Sequence, residues 1–590
     1  MPIDQIIIFS LFFVVLILFG WGIVRYDIVA FGALLAGVLL GVVPTQDAFS
    51  GFGHPATLIV AMVLVVSAGL TRSGAVMLIT QKLMNDDRPV PIHVAVFGAL
   101  GAAMSAFMNN IAALALLMPV DMQAARKAKR AAGLTLMPLA FATILGGMVT
   151  LIGTPPNILV ALVRQEQTGT PFGMFDFAPV GLVVAVVGVA YVALIGWRFI
   201  PQRGDGLDKK VEDLADYVTE LLVAEGSKLI GKTLAELESL SEKSDIAVLS
   251  LLRGNTRGHG VSRYTEIAEG DRLLIEAGPT ALEEFRLASG LDYPEGGGKA
   301  EITGREGQVL IEAIATETSR IVGRTALSIG LGWRRQTVLM GISRRGRTIR
   351  DNARSTQIEA GDILLLLAPA ETAADVTDWL GCLPVEGRSQ VIADHSKAWM
   401  ALGLFAAAIA ATSLGLTTMP IALGVVVVGY AITGILPVRD LYTHIDWPVI
   451  VLLGSMIPLG FALDSTGGTD LIASGLISVT GGLPAWVSLL VLMVITMTLS
   501  DVLNNNATTL IAAPVGVRVA EQLGVNPDPF LMAVAVAASC AFLTPIGHQN
   551  NTLILGPGGY HFGDYWRMGL PLEIIVIAVG LPMILLVWPL

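Results

Sequence analysis

Two polar boxes lie inside otherwise apolar stretches of this 590-residue chain. The first runs from Ser105 to Asn109 and Asn110, and the second runs from Ser500 to Asn504, Asn505 and Asn506. A shift of 395 residues (500 − 105) places one box on the other. Hydroxyl and amide groups in hydrocarbon are costly unless they meet partners, ions or substrate. Two boxes that match in this way predict a binding site.

A second motif pair follows the boxes. Thr150-Leu-Ile-Gly153-Thr154-Pro-Pro-Asn157 matches Thr544-Pro-Ile-Gly547-His548-Gln-Asn-Asn551 at a shift of 394 residues (544 − 150). Proline removes backbone donors in mid-span, so each motif should break a helix. Such breaks occur at membrane depth only where they are buried or line a cavity. Their carbonyls can bind cations and their helix N-termini attract anions, which is typical of the binding site of a secondary transporter.

The distribution of charge separates a soluble module from membrane sequence. The chain is 54% hydrophobic and 14% charged, against about 25% charged in soluble proteins. Residues 201–396 hold 23 of the 37 Lys and Arg and 31 of the 48 Asp and Glu. We therefore predict an α-helical polytopic membrane protein with inverted repeats and re-entrant hairpins, and an inserted α/β cytoplasmic module. The predicted domains are membrane repeat 1 at 1–200, module domains at 201–292 and 300–390, and membrane repeat 2 at 397–590.

Apolar runs define similar elements in the two membrane repeats. Each repeat has three spans, a hairpin with a polar box at its tip, a broken helix and a last span. The predicted ranges are about 4–24, 27–44, 56–78, 92–124, 132–165 and 176–200, and then 397–413, 418–436, 446–464, 484–523, from 529, and 570–590.

Basic residues give the orientation. Arg25, Arg72 and the cluster from Arg126 to Arg130 fall on one side if the hairpins enter from opposite faces. By the positive-inside rule that side is cytoplasmic. The predicted location is a prokaryotic plasma membrane, the cell inner membrane, with the N-terminus outside and the module in the cytoplasm.

The module is itself duplicated. Glu269-Gly-Asp271 and Ala360-Gly-Asp362 precede matching apolar strands, and Gly231-Lys-Thr matches Gly323-Arg-Thr. Each copy predicts alternating strands and short helices. Arginines at 334, 335, 344, 345 and 347 either bind an anionic small-molecule effector or form a solvated face.

The boxes, each followed by an apolar run to Pro119 or Pro514, together with Ile152-Gly-Thr-Pro-Pro-Asn157, resemble the divalent anion:sodium symporter family of the ion transporter superfamily. The module resembles a pair of TrkA-C (RCK C-terminal) domains. The resemblance implies an elevator-type homodimer whose boxes bind substrate oxyanions and contribute to two sodium sites. Family boxes read Ser-Asn-Thr, whereas this chain has Asn109 and Ile111 in one copy and Asn504 and Asn506 in the other. That difference fits members that resemble sulfate permeases.

The resemblance also implies site residues. One sodium site would use Ser105, Asn110 and Gly153, and the other would use Ser500, Asn505 and the segment from Thr544 to Gly547. Substrate would meet residues of both boxes and of both helix breaks, namely Asn109, Asn110, Asn504, Asn505, Asn506, Thr154 and His548.

Two side chains in the second half leave alternatives open. Asp501 is matched by Ala106, and it either ligates a cation or carries a proton, or else it caps the second helix of the hairpin or lies in a water-filled vestibule. His548 either donates to an oxyanion or bonds only to backbone. For the boxes themselves, the alternative to binding is that Ser and Asn merely tie helices together.

These patterns predict sodium-coupled uptake of sulfate or a similar divalent oxyanion across the lipid bilayer. The alternatives are dicarboxylate symport, arsenite-like anion efflux and a TrkA-C-regulated channel. A potassium filter of the T-V-G-Y-G type and a P-loop are missing from the sequence, as are nucleophile–base arrangements and basic patches with interleaved aromatics. We therefore expect no enzyme activity, no nucleic-acid partner and no cofactor besides Na⁺ as coupling ion.

Overall fold

The computed structural model describes two groups of residues. In the membrane part these are residues 2–21, 24–74, 88–128, 130–201 and 395–590. In the module it describes residues 218–384 except 234–235, 238–246, 254–255, 258–264, 277–278, 294–307, 317–318, 332–336, 345–346, 350–352 and 370–371. The chain divides into two compact units, one of Met1–Gln202 with Arg388–Leu590 and one of Arg203–Gly387.

The first membrane half contains eight described helices. Their order follows the predicted plan of spans, hairpin and broken helix, although residues 75–78 of the predicted third span lie outside the described residues. The helices are α1 Ile3–Trp21, α2 Tyr26–Leu39, α3 Pro55–Arg72, α4 Val90–Ser105, α5 Asn110–Lys127, α6 Gly133–Gly147, α7 Pro155–Thr168 and α8 Ala178–Leu194.

The second membrane half repeats this order, with one helix that the sequence pattern did not predict. Numbered after the three helices of the module given below, its helices are α12 His395–Ser413, α13 Met419–Ile432, α14 Trp447–Ser465, α15 Gly468–Thr480, α16 Ala485–Ser500, α17 Asn505–Leu523, α18 Asp528–Ser539, α19 Gln549–Leu555 and α20 Tyr565–Val587. The unpredicted helix is α15, which bends by 118° into α16. The last span begins at Tyr565, five residues before the predicted start.

Several helices have the length and composition of membrane spans. Among the described residues, Pro55–Arg72, Trp447–Ser465 and Phe562–Val587 are long and apolar enough, and α15 with α16 passes as one bent pair. Shorter apolar helices make up most of the remainder. The first segments of the two broken helices, α6 and α18, are buried around their whole circumference from Leu134 and Asp528 onward. A helix apolar on all sides belongs in an interior, so these segments form the core.

The two halves interlock through their broken helices. In the first half, α7 packs against α17 and α18 of the second half. In return, α19 packs against α5 and α6, and the last spans α8 and α20 pack together. Arg164 on α7 joins Asp528 on α18 through a two-point ion pair, with Nε 2.8 Å from Oδ1. The broken segment of each half is therefore held by the hairpin of the other.

The module contains two five-stranded antiparallel sheets of the same topology. The first sheet has strand order β3-β2-β4-β1-β5. The second sheet, starting from the edge strand that corresponds to β3, has strand order β8-β7-β9-β6-β10. The strands are β1 Val218–Val223, β2 Ala247–Arg253, β3 Thr256–Arg257, β4 Arg272–Glu276, β5 Leu291–Asp292, β6 Gln308–Ala315, β7 Val338–Arg344, β8 Arg347–Ile349, β9 Ile363–Pro369 and β10 Cys382–Pro384. The helices are α9 Pro279–Ser289, α10 Ala326–Ile329 and α11 Ala373–Leu380.

The Gly-Asp steps form equivalent turns in the two module copies. Gly270 and Gly361 have φ of 80° and 85°, the left-handed region that favours glycine. The following Asp271 and Asp362 each accept a backbone N–H three residues back, at 2.8 Å. Most of the predicted helix at 233–240 lies outside the described residues, and the TrkA-C assignment stays a prediction.

One of the module arginines is already engaged. Arg344 makes a two-point hydrogen bond with Asp362 and a third contact with Glu359 at 2.7 Å. The hydrogen bonds that Arg344 donates to Asp362 raise the pKa of the Arg344 guanidinium. Residues 334, 335 and 345 lie outside the described residues, so an anionic effector at this cluster stays a prediction.

Candidate functional site

The two hairpin tips meet the two helix breaks around one small cavity of about 90 Å³. Pockets for drug-sized ligands are about 300–1,000 Å³, whereas a single water needs about 10–15 Å³. The cavity therefore suits an inorganic ion or a very small organic one. Its polar lining consists of Asn109, Asn110, Thr154, Asp446, Asn504, Asn505, Asn506, His548 and Gln549.

Each hairpin tip carries the same two hydrogen bonds. Ser105 Oγ donates to Asn110 Oδ1 at 2.5 Å, and Ser500 Oγ donates to Asn505 Oδ1 at 2.9 Å. The preceding residue caps the following helix in both cases. Asn109 Oδ1 accepts from the backbone N–H of Ile111, and Asn504 Oδ1 accepts from that of Asn506. The boxes thus fold alike because the same side chains satisfy the same orphan groups at a helix start.

The helix breaks are also tied to the hairpins by equivalent bonds. Thr150 Oγ1 donates to the carbonyl of Ala106, and Thr544 Oγ1 donates to that of Asp501. The terminal asparagine of each motif then closes its own break. Asn157 Nδ2 donates to the carbonyl of Thr150, and Asn551 Nδ2 donates to that of Thr544.

Glycine at the breaks permits close approach to the hairpins. A Cβ on Gly147 would lie 2.5 Å from Asn110 Oδ1, and one on Gly153 would collide with the carbonyl of Gly147. In the second half, a Cβ on Gly547 would lie 2.8 Å from the carbonyl oxygen of Ser500. Each break therefore packs closely against the hairpin tip that carries a Ser–Asn pair.

Polar contacts cross between the halves at the cavity wall. Asn550 Nδ2 donates to Thr143 Oγ1 at 2.8 Å and to the Asn110 carbonyl at 3.3 Å. His548 Nδ1 accepts the backbone N–H of Asn550. A neutral ring that accepts at Nδ1 carries its proton on Nε2, which lies 3.4 Å from Asn110 Nδ2. Two donors, one from each half, thus converge at the edge of the cavity.

The electrostatics of the cavity come from helix ends. The helices α5, α7 and α17 begin at Asn110, Pro155 and Asn505, and all three starts line the cavity. Helix N-termini present N–H groups and about half a positive charge each. Among the described residues that line it, none is Lys or Arg, and one acid, Asp446, is present. The three helix starts therefore add positive potential to the cavity, and Asp446 adds the one acidic side chain among the described residues that line it.

A family model for citrate transporters (CitMHS) matches residues 14–515 and 462–590. The chain belongs to the citrate transporter family. Members of this family are membrane transporters, and it lies within the ion transporter superfamily, which includes Na⁺/sulfate cotransporters. The transporter also matches relatives over nearly its whole length. It is 31% identical to an uncharacterized transporter of Synechocystis, over 94% of this chain and 93% of the relative, and 30% identical to the uncharacterized transporter YfbS of Escherichia coli, over 99% of each.

Other relatives carry a substrate in their names. The transporter is 24% identical to sodium/sulfate cotransporter 1 of Chlamydomonas reinhardtii, over 55% of this chain and 39% of the relative. It is 30% identical to sodium-dependent high-affinity dicarboxylate transporter 3 of Caenorhabditis elegans, over 22% of this chain and 24% of the relative.

The predicted site residues separate into two layers. Nine of them line the cavity, namely Asn109, Asn110, Gly153, Thr154, Asn504, Asn505, Asn506, Gly547 and His548. The other four, Ser105, Ser500, Asp501 and Thr544, lie behind the cavity wall and bond to hairpin or break atoms. The structure thus brings both boxes and both breaks to one place, and their roles in binding stay predictions.

Four residues of this region were missed from the sequence. Gln549 and Asn550 lie inside the second break motif, where their counterparts Pro155 and Pro156 drew attention to the helix break instead. Asp446 lies at the start of a predicted span, where an acidic residue is expected at the membrane surface. Glu573 had a usable signal, because an ionisable residue inside an apolar span is a functional hypothesis by default.

Proposed function

We propose that this protein is a sodium-coupled symporter that takes up sulfate or a similar divalent oxyanion by an elevator-type mechanism. The observation that carries the proposal is the small cavity lined by both hairpin tips and both helix breaks. Its lining offers amide donors and helix N-termini, and in its described wall no Lys or Arg contributes positive charge.

The anion is held by neutral donors in this proposal. The side-chain amides of both boxes and the Nε2–H of His548 donate to oxyanion oxygens, and three helix N-termini add backbone N–H groups. Hydrogen bonds to a charged group contribute about 1.5–3 kcal/mol each, so several such donors suffice without a basic side chain. An anion without a fixed cationic partner leaves room for cotransported cations to balance its charge.

The sodium ions bind behind the boxes in this proposal. One site uses Ser105, Asn110 and main-chain oxygen near Gly153, and the other uses Ser500, Asn505 and the segment from Thr544 to Gly547. Hydroxyl, amide and main-chain oxygens are hard ligands that suit such a cation. The residues fit this role because each Ser–Asn pair already presents two oxygens within 2.9 Å of each other, next to a glycine-lined break.

The size of the cavity favours sulfate over longer anions. At about 90 Å³ it is far below the usual range for larger organic ligands. The similarity to the sodium/sulfate cotransporter also extends over 55% of the chain, against 22% for the dicarboxylate transporter. Dicarboxylate symport remains the second candidate, because that relative matches at 30% identity.

The proposal also covers the oligomeric state, the location and the module. The protein is a homodimer in a prokaryotic inner membrane, with inverted halves and the module in the cytoplasm. The module is a pair of TrkA-C-like domains that bind a small-molecule effector and regulate transport. Arsenite-like efflux and a regulated channel are the alternatives from other classes, and single-channel currents in a planar bilayer would favour the channel.

Uptake into proteoliposomes tests the proposal. Purified protein is reconstituted and uptake of labelled sulfate is measured with an inward Na⁺ gradient, with an equal K⁺ gradient and with no gradient. We expect accumulation only with Na⁺, inhibition by excess unlabelled sulfate and little inhibition by succinate. Strong inhibition by succinate would favour dicarboxylate symport, and uptake indifferent to cation gradients would reject coupling.

A further inference from the structure

Two arginines meet at the base of the first hairpin, the end of α4 and α5 that lies away from the polar tip. Arg88 precedes α4, and Arg130 lies between α5 and α6. Arg130 Nη1 donates to the main-chain carbonyl of Arg88 at 3.1 Å, and the backbone N–H of Arg130 donates to the carbonyl of Ala125 on α5. Neither arginine lines the cavity. The pair therefore joins the open end of the hairpin to the linker that leads into α6.

Three side-chain nitrogens of this pair lack an acceptor. Within the described part of the chain, Nη1 of Arg88 and both Nε and Nη2 of Arg130 are buried and have no hydrogen-bond partner. A guanidinium group only donates and stays charged, so its buried N–H groups are costly when no acceptor meets them. Burial lowers the pKa of the Arg130 guanidinium, and the charge of Asp121 offsets only part of this shift. The pair thus needs an acceptor that the described residues do not supply.

Other arginines of the membrane part have a carboxylate partner. Among the described residues, such bonds join Arg25, Arg72, Arg164 and Arg518 to Asp27, Asp440, Asp528 and Asp464, respectively. Asp121 acts on Arg130 through its charge, but it is fully buried and its two carboxyl oxygens bond to His93 Nε2 and Thr135 Oγ1 instead, at 2.5 Å each. An acceptor from outside the chain is therefore expected at Arg88 and Arg130.

Two helix starts strengthen the attraction for an anion. The helix α4 begins at Val90 and α6 begins at Gly133, and neither has a side-chain cap. Helix N-termini present main-chain N–H groups and about half a positive charge each. Two guanidinium groups against the one carboxylate of Asp121 also leave net positive charge among the described groups of this cluster. The base of the hairpin is therefore electropositive.

The shape of a guanidinium group indicates the kind of anion. Its planar fork of N–H donors matches the oxygens of a phosphate group, which it binds through paired hydrogen bonds. The predicted orientation places the base of this hairpin at the cytoplasmic face, where anionic lipid headgroups lie. Basic pockets between membrane helices on that face bind the phosphates of such headgroups.

We propose that Arg88 and Arg130 form a phosphate-binding site at the base of the first hairpin, which takes the phosphate of an anionic lipid headgroup or free phosphate. The phosphate oxygens accept from Nη1 of Arg88 and from Nε and Nη2 of Arg130. A bound phosphate thereby ties the start of α4 to the linker before α6. The site goes beyond the proposed function and does not depend on it, because neither arginine lines the cavity.

Ligand binding to the purified protein in a nonionic detergent tests the site. Thermal unfolding is followed while inorganic phosphate or dihexanoyl phosphatidylglycerol is added at constant ionic strength, with dihexanoyl phosphatidylcholine as the neutral lipid control. We expect stabilisation by at least one of the two anionic ligands. Arg130→Gln should weaken the apparent affinity for that ligand about 10- to 100-fold, because hydrogen bonds to a charged group are lost. A loss for phosphatidylglycerol alone identifies a lipid headgroup, and a loss for inorganic phosphate alone identifies a soluble anion.

Two further variants separate a built site from general attraction between charges. Arg439→Gln removes the same charge from the same predicted face, at a side chain that is 83% exposed. Exposed charges contribute little, so this control should change the affinity by less than about twofold. Arg130→Lys keeps the charge without the planar fork and should recover only part of the loss. Full affinity in Arg130→Lys would overturn the proposal in favour of general electrostatic attraction.

Two acids outside the described residues could compete for the same arginines. Asp86 and Asp87 directly precede Arg88 in the sequence. If their carboxylates occupied the site, phosphate ligands would bind there only after both charges are removed. Stabilisation that is present in the double variant Asp86→Asn/Asp87→Asn and missing in the wild type would therefore overturn the proposal.

The wild type keeps the test decisive if Arg130→Gln fails to fold. A wild type that neither inorganic phosphate nor phosphatidylglycerol stabilises would overturn the proposal. Equal affinity in wild type and in folded Arg130→Gln and Arg88→Gln would overturn it as well, because the ligand would then bind elsewhere. If no protein takes up sulfate while phosphate binding is still lost in Arg130→Gln, the proposed function fails and this site stands.

Discussion

The two membrane halves have the same skeleton of hydrogen bonds but different polar residues on it. In both halves a serine bonds an asparagine, an asparagine caps the second hairpin helix, a threonine bonds the hairpin, and an asparagine closes the break. Apart from the serine–asparagine bonds, which join side chains, these bonds use main-chain partners at matching positions. The skeleton is therefore the part of the repeat that holds the cavity open.

Several of the differences add polarity to the second half. Asp501 replaces Ala106, Asn506 replaces Ile111 and His548 replaces Thr154. Gln549 and Asn550 replace two prolines. A substrate and its ions do not share the pseudo-symmetry of the protein, so asymmetric chemistry must come from such positions. The comparison predicts that the skeleton positions the cavity residues and that the exchanged residues set selectivity and coupling.

The largest expected effect comes from removing the amide that both halves share. Asn110→Ala and Asn505→Ala each delete a side chain that lines the cavity and accepts from serine. Loss of bonds to charged species of about 1.5–3 kcal/mol predicts a fall in sulfate uptake of about 10- to 100-fold. Uptake in proteoliposomes at equal protein incorporation measures it, with Gln167→Ala on the exposed face of α7 as control. Normal uptake in either variant would mean that the halves are not functionally equivalent.

A glycine that is present in one half only offers a sharper test. Gly147 lies against Asn110, and Ala541 occupies the matching place in the second half. Gly147→Ala inserts a methyl group 2.5 Å from Asn110 Oδ1, and overpacking of this kind costs about 1–3 kcal/mol. We expect the half-activating Na⁺ concentration to rise about tenfold. Ala541→Gly removes a methyl group and should change it by less than about twofold. An unchanged Na⁺ dependence in Gly147→Ala would mean that Asn110 does not take part in sodium binding.

Exchanging one of the residues that differ between the halves should alter the sulfate dependence of uptake more than its Na⁺ dependence. His548→Thr gives the second half the residue of the first and deletes the Nε2–H donor beside Asn110. Loss of one hydrogen bond to the oxyanion, at the weak end of about 1.5–3 kcal/mol, predicts a roughly tenfold rise in the sulfate concentration for half-maximal uptake. The Na⁺ dependence should stay within error, and His561→Asn, remote from the cavity lining, serves as control. An unchanged sulfate dependence would mean that His548 only caps the following helix and does not bind sulfate.

The sequence predicted most of the membrane fold because two kinds of signal agreed. Hydropathy located the spans, and the internal match located the hairpins and breaks at Asn109–Asn110 and Thr154–Pro156. Helix α15 was missed because its polar residues, including Ser474 and Ser478, interrupt the apolar run. A bent pair of helices also resembles one span and a loop when only hydropathy is considered.

The sequence predicted the site residues that have a counterpart in the other half, but it did not predict the site residues that lack one. Repetition identified the boxes, but a residue without a counterpart gains nothing from that comparison. Asp446 reaches the cavity only because α14 begins beside it, and Glu573 lies near the second hairpin only because α20 packs against α16. Such contacts between distant elements depend on tertiary packing, which spacing along the chain does not encode.

The smallest expected effect on transport concerns the asparagines that close the two breaks. Asn157 and Asn551 are almost fully buried and donate to carbonyls at Gly147 and Thr150 or at Ala541 and Thr544. Neither side chain lines the cavity. Asn157→Ala and Asn551→Ala each delete buried hydrogen bonds to carbonyls, which predicts a loss of about 1–3 kcal/mol in stability. A thermal-unfolding assay in detergent should show similar losses for both, while the sulfate and Na⁺ dependences of the remaining folded protein change by less than about twofold. A marked change in sulfate or Na⁺ dependence in only one of the two variants would show that this asparagine has a functional role. The two hydrogen-bond skeletons would then not be equivalent.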